Sequence, residues 1–496
     1  MSTDPPIVVW FRQDLRLADN PALSEAAASG RPVIALYILD DSPGVRAAGA
    51  ASRWWLEKSL TALAADLASL GGMLVLKKGA ARRVLGELIA ETGADRVHWN
   101  RLYDAGSVAR DMAIKADLAA AVIECRSFNA SLLNEPWEIK SAAGGSYRVF
   151  TPYWRAARQT AGRNPPVARP THIRTPAKAP RSDRLADWRL HPTRPDWSSG
   201  FGDWAPGEKG ARRRLEVFLD EGVRGYAKAR DRPAAEGTSR LSPHLHFGEI
   251  GPRQIWAGAQ TAVERGQASE RAAESFLREL GWREFNHHIL FHHPEMATKS
   301  LNGGFEAFPW RSDPAGLDAW RRGATGFPIV DAGMRQLWST GWMHNRVRMI
   351  VASFLVKDLL IDWRDGEAWF WDTLVDADPA NNVGNWQWVA GSGADAAPYF
   401  RIFNPTLQGE TFDPAGDYIR RWVPKLARLP APFVHQPSRA GRELLGEAGV
   451  DLGVTYPVPI LAHKAARACA MEAYRSLSNA DQTSPAPSRG RAHAAR

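Results

Sequence analysis

The stretch between Gly341 and Trp388 combines side chains that seldom occur together in a protein core. Indoles, guanidinium groups, carboxylates and amides follow one another there, at Trp342, Asn345, Arg346, Arg348, Met349, Trp363, Asp376, Asp378, Asn382, Trp386 and Trp388. The apolar run within it, residues 347–360, is typical of a buried helix, where a charge without a partner is costly. The mixture therefore indicates a large, flat ligand with polar edges, bound inside a helical domain.

Composition and charge limit the class of protein. A chain of 496 residues exceeds what one hydrophobic core usually holds, so we expect two or three domains. The formal net charge of +9 favours an anionic partner such as nucleic acid. No run approaches the roughly 18 apolar residues of a membrane helix and no secretion signal opens the chain, so we expect a cytoplasmic protein without membrane contact. Cys125 and Cys469 indicate neither a disulfide framework nor a zinc site.

The first 130 residues alternate short β-branched runs with amphipathic stretches. This alternation predicts an α/β domain with a Rossmann-like parallel sheet. The expected strands are Ile7–Phe11, Val33–Ile38, Met73–Lys77, Arg96–Asn100 and Val122–Arg126. The expected helices between them are 21–29, 52–70, 81–92 and 107–120. The first strand runs into residues 12–16 (RQDLR) instead of a GxGxxG turn, which argues against the usual dinucleotide-binding mode.

The remainder of the chain divides into a linker, a helical domain and a tail. Residues 131–210 are rich in Pro, Gly, Arg and Trp with little periodicity, and they are interpreted as an interdomain linker. Helical periodicity dominates residues 211–477, with helices expected at 213–221, 252–261, 272–291, 333–340, 346–360 and 367–374. The segment 376–382 (DADPANN) has the composition of a loop. Residues 478–496 are predicted to form a disordered tail.

Several long motifs in a fixed order are specific enough to suggest a family. They are residues 9–17 (VWFRQDLRL), 236–243 (EGTSRLSP), the block 341–388 and residues 399–405 (YFRIFNP). Together they resemble the photolyase and cryptochrome family, most of all its bacterial class I photolyases for cyclobutane pyrimidine dimers. The resemblance covers nearly everything except the tail. It implies an α/β antenna-type domain followed by an all-α C-terminal FAD-binding domain.

The resemblance implies one FAD per chain. From the residues alone, the hydroxyl-rich segment 238–242 could hold phosphate or cap a helix, and Asp376 and Asp378 could bind a metal or cap a helix. By resemblance, Arg348 pairs with Asp376 across the flavin and the Asn382 amide faces flavin N5, which makes a metal unnecessary. The expected cofactor-binding set is Tyr226, Thr238, Ser239, Arg240, Leu241, Ser242, Arg348, Asp376, Asp378 and Asn382.

The resemblance also assigns electron-transfer and lesion-binding residues. Trp310, Trp363 and Trp386 match the tryptophan chain that relays an electron from the surface to photoexcited flavin, and with Glu279 and Asn382 they form the expected catalytic set. The positions that line the pocket for a flipped dimer are Glu279, Trp282, Asn345, Met349 and Trp388, and the expected phosphate contacts are Arg230, Arg346 and Arg401. Enzymes for the (6-4) photoproduct carry histidines where this chain has Asn345 and Met349, so the resemblance favours cyclobutane dimers.

The implied activity is light-dependent repair of UV-damaged DNA. Photoexcited reduced FAD would transfer an electron to a flipped-out cyclobutane pyrimidine dimer, which makes the protein a deoxyribodipyrimidine photo-lyase. The alternative is a cryptochrome-type blue-light signalling photoreceptor, and a weaker one is an electron-transfer flavoprotein. We expect a monomer without an obligate protein partner, associated with the nucleoid when bound to DNA.

The second, light-harvesting chromophore is not assigned by the sequence. Folate-using members of the family carry Glu and Asn after the fourth strand, whereas this chain has Gly106 and Ser107. A deazaflavin, a folate bound in another way, or no antenna chromophore are the alternatives.

Overall fold

The computed structural model describes residues 4–395 and 400–483, with side chains described as far as Leu477. The N-terminal domain contains a five-stranded sheet in the order β3-β2-β1-β4-β5, in which all neighbouring strands are parallel. Its strands are β1 (Ile7–Phe11), β2 (Val33–Leu39), β3 (Leu74–Lys78), β4 (Arg96–Asn100) and β5 (Glu124–Phe128). Its helices are α1 (Pro21–Ala28), α2 (Ala50–Ala68), α3 (Ala81–Thr92) and α4 (Ala105–Ala120). The predicted α/β domain is confirmed.

The central strand β1 explains why this sheet is covered on both sides. All five of its residues are buried, as expected for a parallel strand between two layers of helices. Ile7, Val9 and Phe11 point into a core with α1 and α2, whereas Val8 and Trp10 point into a core with α3 and α4. The alternation of β1 therefore divides the domain into two apolar layers.

The C-terminal domain is helical, as predicted. Its helices, with one that precedes it in the linker, are α5 (Phe150–Ala157), α6 (Glu208–Val217), α7 (Tyr226–Ala229), α8 (Ser242–His246), α9 (Pro252–Glu264), α10 (Glu270–His292), α11 (Pro314–Arg322), α12 (Pro328–Thr340), α13 (Asn345–Ser353), α14 (Trp363–Thr373), α15 (Pro379–Ala390), α16 (Pro405–Phe412), α17 (Asp417–Trp422), α18 (Ala431–Val434), α19 (Arg442–Ala448) and α20 (His463–Thr483). Helices α10, α12, α13, α14 and α15 share one large buried core.

Two local predictions in this domain were wrong. The segment 376–382 is not all loop, because α15 begins at Pro379. Asp378 caps this helix and proline occupies its first position, a start signal that the turn-like composition concealed. The helix predicted at 346–360 is α-helical only to Ser353 and continues as a π-helical turn over Phe354–Asp358.

The predicted linker, 131–210, takes part in both cores. Phe150, Tyr153 and Trp154 on α5 are buried in the helical domain, whereas Trp188 and Phe201 are buried against the α/β domain. At the other end of the chain, α20 extends through the start of the predicted disordered tail to Thr483. Residues 484–496 of that tail lie outside the described residues. Within residues 4–395 and 400–483, no helix has the length and apolarity that a membrane crossing requires.

Candidate functional site

A cavity of about 500 Å³ opens into the helical domain, between the loop before α8 and helices α10, α13 and α15. Its volume lies within the range of roughly 300–1,000 Å³ that is usual for ligand sites. The predicted site residues that line it are Tyr226, Arg230, Ser239, Leu241, Ser242, Glu279, Trp282, Asn345, Arg346, Arg348, Met349, Asp376, Asp378, Asn382, Trp386 and Trp388. The fold therefore gathers most of the predicted site around one space.

Five predicted site residues lie elsewhere. Thr238 and Arg240 line a neighbouring pocket of about 200 Å³ that shares Trp342 with the main cavity. Arg401 borders a small pocket of about 40 Å³, and Trp310 and Trp363 line none of these three spaces.

Arg240 is held between two indoles. Its guanidinium carbon lies 4.9 Å from the ring centroids of both Trp204 and Trp342. Burial lowers the pKa of Arg240, and the backbone has a φ of 52° at this residue, in the left-handed region. These contacts hold the Arg240 side chain at the smaller pocket.

Arg348 and Asp376, the predicted ion pair, meet at the cavity wall. Nη1 and Nη2 of Arg348 lie 3.1 and 2.8 Å from the two carboxylate oxygens of Asp376. Ser242 donates a further hydrogen bond of 2.6 Å to Asp376, and Trp342 Nε1 lies 3.3 Å from the Ser242 hydroxyl. Because the arginine Nε also donates to the Met343 carbonyl, the pair has a fixed geometry.

Asp378 is a helix cap with a strongly acidic carboxyl group. Its Oδ1 accepts from the backbone N–H groups of Ala380 and Asn381 at 3.0 and 2.7 Å. Burial acts to raise the pKa of Asp378, but His287, at 3.3 Å, and Arg283 outweigh it and hold the pKa well below the ordinary value. Among the described residues, no cluster of three or more His, Cys, Asp or Glu side chains could hold a metal ion. Asp378 is thus the N-cap of α15, whereas Asp376 is the partner of Arg348.

Asn382 reaches the cavity from the first turn of α15. Its Nδ2 donates both hydrogens to Glu367 on α14, to the backbone oxygen at 3.0 Å and to Oε1 at 2.7 Å. The other amide atom, Oδ1, is therefore left to face the cavity as an acceptor. No sequence pattern indicated a role for Glu367, because its position becomes relevant only when α14 packs on α15.

The predicted lesion side of the cavity is built on α10 and α13. Asn345 and Met349 are one helical turn apart and both line the cavity. Glu279 on α10 forms a short ion pair with Arg230. Trp282 is stacked on Phe150 with ring centroids 3.7 Å apart.

His344 caps α13 and is not a candidate acid. Its side chain accepts from Arg346 N at 3.2 Å. Burial lowers the pKa of His344 to about 4, so the ring is neutral near pH 7. This agrees with the interpretation of His344 as structural. The adjacent Arg346 lies 2.8 Å from Asp231 and over the ring of Phe412.

The three predicted relay tryptophans differ in their surroundings. Trp386 is buried at the cavity wall, and Trp363 is buried at the start of α14. Trp310 is partly exposed and packs on Phe308 with ring centroids 4.3 Å apart. Trp320, which the sequence did not single out, lies 6.2 Å from Trp386 between ring centroids.

The sequence reasoning missed several cavity residues on α10 and α8. Arg283 and Asn286 follow Glu279 and Trp282 at helical spacing, so the periodicity of α10 could have identified them. His246 on α8 is buried at the cavity wall, and its Nδ1 has no hydrogen-bond partner among the described residues. This nitrogen is itself closed off from solvent, so His246 borders the cavity with other atoms of its ring.

The structure explains the departure from the folate-binding pattern in the α/β domain. A Cβ added to Gly106 would lie 2.0 Å from the Gly44 carbonyl oxygen, so a glutamate cannot occupy this position without moving that loop. The next residue, Ser107, donates its N–H to Asp104, the cap of α4.

Comparisons with known proteins agree with this geometry. A family model for DNA photolyase matches residues 7–172, and one for the FAD binding domain of DNA photolyase matches residues 276–476. The deoxyribodipyrimidine photo-lyase of Agrobacterium fabrum is 52% identical to this chain, covering 95% of this chain and 98% of the relative. Cryptochrome-1 of Arabidopsis thaliana is 39% identical and covers 95% of this chain, which spans 70% of that longer protein.

The fold matches a solved relative over nearly its whole length. A crystal structure of a bacterial class III photolyase from Agrobacterium tumefaciens superposes with a TM-score of 0.94 and 51% identity, covering 97% of this chain and 99% of that one. The photo-lyase is thus a nearer relative than the plant cryptochrome. This chain belongs to the photolyase and cryptochrome family.

Proposed function

We propose that this protein is a deoxyribodipyrimidine photo-lyase that repairs cyclobutane pyrimidine dimers in UV-damaged DNA under blue light. The observation that carries this proposal is that one cavity joins two sets of side chains. Arg348, Asp376 and Asn382 suit a flavin, while Asn345 and Met349 border the same space from α13. A relative that is named a deoxyribodipyrimidine photo-lyase is 52% identical to this chain, which supports the same activity.

The residues present fit FAD. The cavity offers hydroxyl groups at Ser239 and Ser242, a fixed guanidinium at Arg348 and an acceptor at Asn382. Bound reduced FAD supplies the light-driven electron that splits the dimer and takes it back afterwards. The chain's own residues bind this cofactor, shield it from water and place the lesion beside it.

Asn345 and Met349 favour a cyclobutane dimer over the (6-4) photoproduct. Neither side chain can move a proton, and the imidazole next to them in the chain, His344, is neutral near pH 7 and occupied as a helix cap. Glu279 supplies a carboxylate to the base edges, held in place by Arg230. Because the cavity lies inside the helical domain, the dimer must leave the base stack to enter it, as base-flipping repair enzymes require.

DNA binding is proposed to depend on arginines at the cavity rim. Arg230 and Arg346 line the cavity, and their side chains are 25% and 20% exposed. Phosphate contacts of this kind are independent of sequence and weaken with salt. Arg401, which borders the small pocket behind Trp388, belongs to the same proposal.

Trp386, Trp363 and Trp310 are proposed to supply electrons for reduction of the bound cofactor. Their burial decreases from Trp386 and Trp363 to the partly exposed Trp310, which suits a path from cavity to surface. Indoles are oxidisable and pack well in apolar surroundings.

The class within the family and the second chromophore are finer points of the proposal. Likeness to a class III photolyase favours class III over the class I suggested by the sequence motifs. An antenna chromophore, if a folate, would need a site other than the one at Gly106. We further propose a monomer that acts in the cytoplasm on nucleoid DNA.

A repair assay with a dimer-containing oligonucleotide tests the function. We expect the reduced protein to restore intact thymines in blue light and to leave the dimer unchanged in darkness. The (6-4) photoproduct is the matched control substrate and should not be repaired. A flavin-loaded protein that repairs neither lesion in light would contradict the proposal and favour the signalling photoreceptor.

A further inference from the structure

One arginine of the α/β domain contacts a glutamate of the helical domain that in turn holds Asn382 at the cavity wall. Arg46 lies in the loop between β2 and α2, and its two terminal nitrogens contact the two carboxylate oxygens of Glu367 at 2.6 and 2.9 Å. The guanidinium also lies over Trp371, 4.0 Å from the ring centroid. The side chain of Glu367 is 8% exposed and that of Arg46 is 43% exposed. The pair therefore closes the glutamate off from solvent.

Glu367 in turn determines which way the Asn382 amide faces. The amide nitrogen contacts the backbone oxygen and Oε1 of Glu367, and the carboxylate already accepts from Arg46. Both contacted oxygens accept hydrogen bonds, so the NH₂ group must face Glu367 and Oδ1 must face the cavity. The orientation of Asn382 thus depends on a chain of contacts that begins in the other domain.

The loop that carries Arg46 is held closely against α14. The backbone N–H of Ala50 donates to Asp372 at 2.9 Å, and Trp371 Nε1 donates to the Ala47 carbonyl at 2.9 Å. A Cβ on Gly49 would lie 2.0 Å from the backbone oxygen of Trp371, so only glycine allows this approach. Arg46 is therefore a fixed interdomain contact with two-point geometry, unlike a solvated surface arginine.

We propose that Arg46 is a positioning residue that, through Glu367, holds the Asn382 amide as a hydrogen-bond acceptor towards the flavin. This inference rests on the proposed function, because it takes the flavin N5 to lie at Asn382. An acceptor at that point favours flavin that carries a proton on N5, and so favours uptake of the first electron together with a proton. Without Arg46, the Glu367 carboxylate loses its fixed position and Asn382 keeps only its bond to the Glu367 backbone oxygen, so the amide is held less firmly in this orientation.

The test compares the holoprotein with the variants Arg46→Met and Arg46→Lys. At a fixed solution potential, we expect Arg46→Met to lower the ratio of one-electron-reduced to oxidised flavin roughly three- to tenfold, the effect of one lost hydrogen bond. Arg46→Lys keeps the charge but not the two-point contact, and it should lower the ratio less. Hydrogen exchange of the Asn382 side-chain amide, followed by NMR in the holoprotein, should become faster in the same order.

Asp372→Ala is the matched control, because it removes another bond of the same interface without touching Glu367. It should leave both readouts at their wild-type values. Unchanged readouts in Arg46→Met, or equal changes in Arg46→Met and Asp372→Ala, would overturn the inference. The repair assay separates this result from the proposed function: a wild type that repairs no dimer, yet responds to Arg46→Met, contradicts only the repair proposal.

Discussion

Buried charges are arranged in opposite ways in the two domains. At the carboxyl edge of the sheet in the α/β domain, Arg12 pairs with Asp111 and Arg110 pairs with Asp40, each at 2.7 Å. Both guanidinium groups lie over the indole of Trp10, at 4.6 and 4.8 Å. These groups neutralise one another and cover the sheet edge, so they serve the stability of the domain.

The charges of the helical domain border open space instead. Arg348 and Asp376 pair as tightly as the groups of the sheet edge, but beside them lies a cavity of about 500 Å³. The difference teaches that a buried ion pair alone does not mark a site. Unfilled volume beside the pair does.

Removing a charge from the cluster of Arg12, Arg110, Asp40 and Asp111 at the sheet edge should lower the stability of the protein without affecting cofactor binding. Arg12→Met leaves Asp111 buried with one partner fewer, and we expect a loss of about 3 kcal/mol in the free energy of unfolding. Chemical denaturation measures this loss, while flavin content in the folded fraction should stay unchanged. Arg82→Met, which breaks an exposed ion pair with Asp117, is the control and should leave stability unaltered. Loss of flavin from folded Arg12→Met would break the comparison.

Removing a charge from the pair of Arg348 and Asp376 beside the cavity should mainly weaken cofactor binding. Asp376→Ala deprives Arg348 and Ser242 of their shared partner, so we expect FAD to bind about a hundredfold more weakly. Equilibrium dialysis or flavin fluorescence gives the dissociation constant. Asp376→Asn keeps the shape and should weaken binding less. Equal affinity in wild type and Asp376→Ala would exclude the pair from the cofactor site.

The buried imidazole of His344, the cap of α13, should make stability depend on acid pH. Burial lowers the pKa of His344 from 6.5 to about 4; Arg346 acts in the same direction and Asp231 opposes it. The unfolded chain therefore takes up a proton at a higher pH than the folded one. The stability that neutral His344 contributes is present above pH 6.5 and is lost as the pH falls towards 4, at most roughly 3 kcal/mol.

His344→Asn checks this dependence, because asparagine can still cap α13 but does not titrate. Denaturation curves between pH 7 and pH 4 should show a smaller loss of stability for the variant than for the wild type. Parallel curves would mean that His344 does not contribute to the pH dependence.

The smallest expected effect concerns electron supply to the cavity. Trp386→Phe keeps an aromatic ring against Phe370 and Trp320, so folding and FAD binding should persist. We expect photoreduction of oxidised flavin to slow roughly tenfold, since phenylalanine is hard to oxidise, while repair by chemically reduced protein continues. Transient absorption measures the rate of photoreduction, and the oligonucleotide assay measures repair. Trp99→Phe, at a buried indole of the α/β domain, should photoreduce like the wild type.

Much of the fold followed from local patterns. The five strands were predicted to within two residues of their observed ends. β1, β2 and β3 contain short apolar runs bounded by turn signals, whereas β5 (ECRSF) is largely polar and its predicted start at Val122 was two residues too early. The start of α15 was missed, since Asp378 and Pro379 also suit a turn and only the following helical hydrogen bonds distinguish the two. Phe150 and Trp154 are core residues that the sequence did not reveal, because a short helix in an aperiodic stretch gives little signal.

The sequence by itself determined the types of side chain in the site and the order in which they appear. Spacing along one helix was sufficient to bring Asn345 and Met349 to the same face, and motif resemblance was sufficient to name Arg348 and Asp376. Only the tertiary structure decided which further residues orient these side chains. Arg46 and Glu367 are 321 positions apart in the chain, and no local periodicity relates them. Their contact exists because the packing of the two domains brings a loop after β2 onto α14, and packing of that kind depends on the whole fold at once.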